Sequence, residues 1–562
     1  MVPMHSEPAK ESFTVAFTPS SSIMNNDKDH DMGQVSPIEN INSEENGDLS
    51  YVAGLRLTLI TIVIALTYFI TIMDMSVVSP VLITIAQNIG GFEFVSWIIT
   101  SYLLGYIAII VIFSKMSDIL GRKTVFLGSI VTFTIFSAGC AAAQTMLQLA
   151  ILRAFQGIGG GGSYALAFIL TVEAVPPQKV PNLVAATAFT MILALVVGPL
   201  IGAAIGQNTT WRWIFIISVI LGVVVFAAAL VGIPNGFPHH GRPPKEKPAA
   251  SSPMKTLLER SDLLGAVLLL LATLSFVAVF EEAGSRFPWR SAFVVTLLII
   301  SVLLWGSLLA WERHVTQRST QCDPVLPWRF ITNRAMAGIL LVCSFLGPPM
   351  IMTIFQLPSR FRLVNGLPSF DAGARILPYG AGALLSLPTG GIIGKAKIPG
   401  LYVILVGSVL QIIGYALLSQ LDGSVNIKRS VYVYQALIGL GASMNLQILN
   451  LLVPSTVESR DRAVGMGAIT QVRSMGSAVG VAIGTSVFNG YISSPLEALG
   501  LVDPLSGLAT GDLSMLSATM QAEAREILSE GYNRQMLVAL AFASAQVPAA
   551  LLIWRREQIL TS

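Results

Sequence analysis

Three charged side chains fall inside long apolar runs of this chain: Asp74, Arg153 and Arg473. A charge placed in lipid costs at least about 2.5–3.5 kcal/mol on insertion scales, so such residues are paired or functional. Proton chemistry here falls to a carboxylate. The five histidines, His5, His30, His239, His240 and His314, all lie in the N-terminal tail or between the apolar runs, and a histidine relay is unavailable. Buried without a partner, the Asp74 carboxyl would hold its proton; beside Arg153 it would release it. A pairing that changes with conformation would load and release a proton. The competing reading keeps Asp74 as a static partner of a base in the fourth run, or as a polar group near the surface.

The runs that carry these residues dominate the composition. Of 562 residues 53% are hydrophobic and 12% charged, with mean hydropathy +0.70. Soluble domains carry roughly 25% charged residues, which excludes a water-soluble enzyme. Apolar segments about twenty residues long indicate helices rather than barrel strands. They fall near 53–82, 95–113, 124–142, 147–172, 183–206 and 213–233, then 262–282 and 291–311, then 335–357, 372–394, 401–420, 431–454, 463–488 and 535–555. The expected fold is an all-α membrane protein with fourteen spans, two six-helix bundles and an inserted pair. Its parts are a disordered acidic tail (1–50), a first bundle (51–233), a basic loop (234–261), an inserted hairpin (262–311) and a second bundle (312–557) with a long outside loop at 489–534.

Glycines hint at an internal repeat. The fifth span carries Gly198, Gly202 and Gly206, and the thirteenth carries Gly476, Gly480 and Gly484. Small residues at every fourth position let helices approach closely in lipid. With the inserted pair removed, these spans occupy matching places in the two bundles, although packing alone would also explain each stripe.

Lys and Arg set the orientation, because cytoplasmic loops are enriched in them. With the tail inside, inside segments beyond residue 112 carry nineteen and outside loops ten, which places both termini in the cytosol. The acceptor Asn208-Thr209-Thr210 then falls outside, a candidate glycosylation site. The tail holds nine acids against Lys10 and Lys28, and its lack of a basic start before an apolar stretch argues against a cleaved signal peptide. Cys140, Cys322 and Cys343 are too few and scattered for a disulfide framework or a metal site.

Between the second and third spans the chain reads Ser114-Lys115-Met116-Ser117-Asp118-Ile119-Leu120-Gly121-Arg122-Lys123. Gly121 supplies a tight turn, Asp118 can cap or pair with Arg122, and Lys123 can anchor to anionic headgroups. The fourth span reads Leu149-x3-Arg153-x2-Gln156-Gly157-x-Gly159, and the fifth Ala194-x3-Gly198-Pro199-x2-Gly202-Ala203, where Pro199 loosens the helix. The chain resembles the major facilitator superfamily, in particular the fourteen-helix drug:proton antiporters of fungi. Residues 114–123 are similar to that superfamily's motif A, Leu149–Gly161 to motif B, Ala194–Ala203 to the antiporter motif C, and the stretch around Asp74 to the first-helix motif. Trp97–Leu104, Trp211–Phe215, Leu357-Pro358 and Gly373–Pro378 also resemble the group. Ser114, Ile119, Ala194 and Ala203 depart from it.

The resemblance implies proton-coupled efflux of hydrophobic or amphipathic small molecules by alternating access at the plasma membrane, with a fungal metabolite, toxin or xenobiotic drug as substrate. It implies a role for Arg153 in proton transfer, against a structural reading as a buried donor. Asp118, Gly121, Arg122 and Lys123 become a conformational latch between the halves, and Gln156, Gly157, Gly198, Pro199 and Gly202 the antiporter motifs. Gln447, Gln471 and Arg473 are candidate cavity residues. A monomer is expected that works on a proton gradient without cofactor, metal or nucleic acid. The alternatives are a proton-coupled carrier of siderophores or of basic amino acids at the vacuole, and a non-transporting sensor on the same fold. A membrane enzyme lacks a catalytic constellation, and an ATP-driven pump lacks a phosphate loop, since Gly390–Ala396 has the wrong spacing.

Overall fold

The computed structural model describes residues 54–78, 81–90, 97–176, 179–237, 262–283, 287–318, 324–389, 398–458, 461–499 and 517–555. The acidic tail, most of the basic loop and the Gly390–Ala396 stretch lie outside them. Helices account for almost all of the described chain. The first half runs α1 (Leu55–Val77), α2 (Leu82–Ile89), α3 (Trp97–Leu120), α4 (Arg122–Ala142), α5 (Met146–Glu173), α6 (Val180–Asn208) and α7 (Arg212–Gly232). The inserted pair is α8 (Leu263–Glu282) and α9 (Ala292–Arg318). The second half runs α10 (Arg329–Thr332), α11 (Arg334–Leu363), α12 (Ser369–Ala374), α13 (Leu377–Leu385), α14 (Gly400–Leu418), α15 (Ser430–Thr456), α16 (Arg462–Ala498) and α17 (Ala518–Leu551).

Among the described residues eleven helices are long and apolar enough to cross a membrane. The three other expected spans correspond to α12 with α13, to α16 and to α17. The segment at 372–394 is interrupted after Ala374, with Pro378 at the start of α13. Helix α16 carries Gln471 and Arg473 among its glycines, and α17 opens with Glu523, Arg525, Glu526 and Glu530. Much of α16 is buried against other helices, and protein neighbours replace the hydrophobicity that lipid would demand. Of the stretch 489–534, expected as an outside loop, the described parts 489–499 and 517–534 are largely helical, because α16 continues to Ala498 and α17 begins at Ala518.

The repeat hinted at by the glycines appears as matching close contacts. Helix α6 packs on α1 so tightly that a Cβ at Gly202 would stand 2.2 Å from the Val77 carbonyl oxygen. Helix α16 packs on α11 in the same way, with a Cβ at Gly476 only 2.1 Å from the Ser344 carbonyl oxygen. Helices α1 and α11 each open their half, so the two glycine stripes do the same work in both.

The halves meet unequally at the two ends. At the end that carries the Asp118 turn, a single apolar core joins the first half (Ile60, Phe126), the inserted pair (Val277, Leu308) and the second half (Met336, Leu452). At the other end the cores are separate: Met73, Trp211 and Phe215 belong to the first half, and Phe361, Tyr415 and Met536 to the second. The inserted pair is central to this seam. Gln471 of α16 accepts from the Val111 backbone N–H of α3 at 3.3 Å and donates to Thr273 Oγ1 of α8 at 2.8 Å, so one side chain ties both halves to the insert.

Gly202→Ala is therefore expected to lower the thermal midpoint in detergent, because backbone must shift to admit the methyl group. Gly128→Ala, where nothing stands within 4 Å, should leave it unchanged or raise it, by up to about 1 kcal/mol of helix propensity. Fluorescence-detected melting of both variants checks the contrast.

Candidate functional site

Asp74 stands four residues from the end of α1, on the face turned toward α5 and α7, and is fully buried. Its Oδ2 forms an ion pair with Arg153 Nη1 of α5, also fully buried. Its Oδ1 accepts from Gln156 Nε2 at 3.0 Å and from Ser218 Oγ of α7 at 3.1 Å. Gln156 lies one turn after Arg153 and shares its helix face. Its Oε1 accepts from Arg153 Nη1 at 2.9 Å, and its Nε2 donates to Ser137 Oγ of α4 at 2.8 Å. Arg153 Nε donates to the Ile98 carbonyl of α3 at 3.1 Å, and the guanidinium lies over the Tyr102 ring at 4.3 Å. Five helices of the first half thus converge on one carboxylate.

Close backbone approach makes this possible. A Cβ at Gly157 would stand 2.2 Å from the Tyr102 carbonyl oxygen, so α5 meets α3 at the level where Arg153 reaches across. From Tyr102 a row of phenols leads inward. Tyr102 stacks on Tyr106 with centroids 6.0 Å apart, Tyr106 meets Tyr164 edge-on at 5.7 Å, and Tyr164 meets Tyr68 at 5.0 Å. The Tyr164 hydroxyl accepts from Arg473 Nη2 at 3.1 Å.

Arg473 borders a cavity of about 40 Å³ between the halves, lined by α1, α5 and α6 on one side and α11, α15 and α16 on the other. Gln447 lines it too and donates to Ser386 Oγ at 2.8 Å. The space holds one or two waters and no organic molecule. Gln471, expected as a cavity residue, does not line this cavity; two residues from Arg473 along the helix it points elsewhere, to the bridge with Val111 and Thr273.

The Asp118 turn is built as its sequence suggests, with Gly121 at φ 91° between α3 and α4. Arg122 pairs with Asp118 at 2.5 Å and with Glu173 of α5 at 2.8 Å, and its Nη1 donates to Ser117 Oγ at 2.6 Å. Lys123 Nζ donates to the Leu230 carbonyl in the last turn of α7 at 2.8 Å. These contacts stay within the first half, whereas the expected latch spans the halves. The crossing contacts stand one to two turns earlier, at Val111 with Gln471 and at Ser114, whose Oγ would lie 2.5 Å from a Cβ at Gly467. Gly198 and Gly202 form the α6 face against α1, and Pro199 lies within the same helix. Asn208 ends α6 and is exposed.

One buried acidic pair escaped the sequence reading, and one polar cluster was legible only as scattered amides. Asp262 and Glu312 are buried at the ends of the inserted helices, where a Cβ at Gly265 would stand 2.2 Å from Asp262 Oδ2 and 3.0 Å from Glu312 Oε1. Both fell at predicted span boundaries and so read as loop charges. In the second half, Gln546 Oε1 accepts from Asn445 Nδ2 at 2.9 Å and from Ser408 Oγ and Gln411 Nε2 at 3.3 Å. This neutral cluster draws on α14, α15 and α17, the counterparts of α4, α5 and α7. Its signal lay in lone amides within apolar runs.

The sequence profile of the Major Facilitator Superfamily matches residues 64–283 and 281–481. The chain belongs to the major facilitator superfamily. It is a multi-pass membrane transporter and not an enzyme. Over 510 residues it is 33% identical to the MFS-type transporter FPY5 of Fusarium mangiferae, covering 90% of this chain and 85% of that one. It is 30% identical to the efflux pump FUS6 of Gibberella fujikuroi, covering 82% and 80% respectively. A structure of the proton:xylose symporter XylE bound to 6-bromo-6-deoxy-D-glucose superposes with a TM-score of 0.52 at 14% identity, covering 88% of this chain and 96% of that one, a likeness of fold.

Removing either member of the buried ion pair leaves the other charged and uncompensated. Arg153→Gln should destabilise the protein by about 3–5 kcal/mol, and Asp74→Asn added to it should restore part of that loss. Unfolding of both single variants and the double variant in detergent gives the coupling energy; additive losses would mean the pair is not coupled.

Proposed function

We propose that this transporter is a proton-coupled exporter, an antiporter that moves hydrophobic or amphipathic small molecules, such as a fungal secondary metabolite or a xenobiotic, across the plasma membrane by alternating access. The observation that carries the reading is the Asp74 carboxylate held by Arg153, Gln156 and Ser218. A proton arriving on an Asp74 oxygen cancels the charge that holds Arg153 in place. The freed guanidinium then favours any arrangement in which it finds another partner, and the helices it binds move with it. Loss of the proton restores the pair. The phenol row Tyr102, Tyr106 and Tyr164 supports coupling to the cavity, because a displaced Arg153 uncovers the ring on which the row begins. The similarity to the efflux pump FUS6 supports the direction.

In this reading both termini and the Asp118 turn face the cytosol, the chain crosses the membrane fourteen times as a monomer, and Asn208 faces outward as an acceptor for glycosylation. The joined core at the Asp118 end and the separate cores opposite support a state sealed toward the cytosol. Arg122, bound to Asp118 and Glu173, stiffens that seal, and Gln471 closes it. The cation in the cavity speaks against basic amino acids as cargo.

The test is accumulation of a compound panel in a yeast strain lacking its own efflux pumps. The intact transporter should lower accumulation of at least one compound, and a protonophore should abolish the effect. Asp74→Asn should abolish uphill export while retaining exchange of labelled for unlabelled compound. Export that persists in the presence of the protonophore, or in Asp74→Asn, overturns the proposal.

A further inference from the structure

We propose that the cargo carries an anionic group, a carboxylate or an equally acidic hydroxyl, and that Arg473 receives it in the cavity between the halves. The assignment rests on the transport reading above and names the chemistry of its substrate. Three other arginines of the described interior meet a carboxylate: Arg153 pairs with Asp74, Arg122 with Asp118 and Glu173, and Arg329 with Asp461. Arg473 differs from these three. Arg360, toward the end of α11, also lacks a carboxylate among the described residues, its Nη2 donating to the Asp422 carbonyl and Ser529 Oγ while its Nε is unmatched, but it lies outside this cavity. Arg473 lies on it. Among the described residues no carboxylate lies within 4 Å of it, and its hydrogen-bond partner is the neutral Tyr164 hydroxyl.

A guanidinium has five donors in a planar fork that matches two carboxylate oxygens. One of them is engaged by Tyr164, and the guanidinium borders the cavity. A cation held in a membrane interior without a counter-charge is costly, and here the space beside it is the one that both halves share. The missing negative charge therefore arrives with the cargo. The remaining walls define the rest of the molecule: Tyr68, Phe168, Met191 and Leu446 offer apolar surface, while Gln447 and Asn450 add neutral hydrogen-bonding groups. This suits an amphipathic acid with a flat or branched apolar body. At about 40 Å³ the present cavity excludes it, so the acid enters when the halves part.

Decanoate and naphthaleneacetate, each with its methyl ester, separate charge from shape. Binding to the purified full-length protein is measured by titration and thermal shift, and export is measured in sealed vesicles. The acids should bind and the esters should bind at least about tenfold more weakly. Arg473→Gln should weaken the acids by about ten- to a hundredfold without changing the esters, and Arg473→Lys should keep part of the affinity. Gln447→Glu, which leaves Arg473 in place and sets a carboxylate in the same cavity, should suppress acid binding as well. If the acids do not bind, if the esters bind equally well, or if Arg473→Gln binds acids like the parent, the assignment falls. Acids that bind but are not exported preserve the assignment and overturn the export reading. Esters exported under protonophore control while the acids do not bind do the reverse.

Discussion

A carboxylate and a guanidinium in the interior of a membrane bundle are stable only together, and only while the groups that complete their hydrogen bonds stay in place. Asp74 and Arg153 satisfy this by recruiting α3, α4 and α7 around α1 and α5. The close α1–α6 and α3–α5 contacts bring those helices near enough, and glycine is required there because any side chain would collide with a carbonyl group. The architecture of the first half follows from the need to bury one ion pair without leaving a donor or an acceptor unmatched.

The second half shows what the same architecture looks like without charge. Its corresponding helices hold Gln546, Asn445, Gln411 and Ser408, amides and a hydroxyl that hydrogen-bond to one another while Asn445 Oδ1 is left without a partner. A neutral network does not respond to protons, so the two repeats share a scaffold and differ in chemistry. They meet in the cavity and along a seam where Gln471 joins α3, α8 and α16. The inserted pair therefore belongs to the contact between the halves, although its sequence reads as an appended hairpin.

The long apolar helices were legible because lipid permits few alternatives: a run of twenty apolar residues has little else to be. Asp74 and Arg153 stood out because charge is rare there, and their spacing on separate helices hid only that Gln156 and Ser218 complete the site. What stayed hidden were features that depend on burial by protein instead of lipid. Helices α16 and α17 continue through residues polar enough to resemble loop, and Glu312 lay one residue beyond a predicted boundary. Helix phase already set Gln471 off the face of Arg473, whereas its partners Val111 and Thr273, and Glu173 as a second partner of Arg122, required the fold.

Arg473 has an electrical consequence as well as a chemical one. The Asp74–Arg153 pair is neutral as a unit, whereas Arg473 is a full positive charge with only a phenol beside it. Membrane voltage acts on net charge and leaves a neutral pair almost untouched. A displacement that carried one elementary charge through the whole field would involve about 2.3 kcal/mol at 100 mV, and any partial displacement a share of it. A displacement of Arg473 in the empty protein would therefore couple to the membrane voltage, and a negative partner in the cavity would silence that coupling.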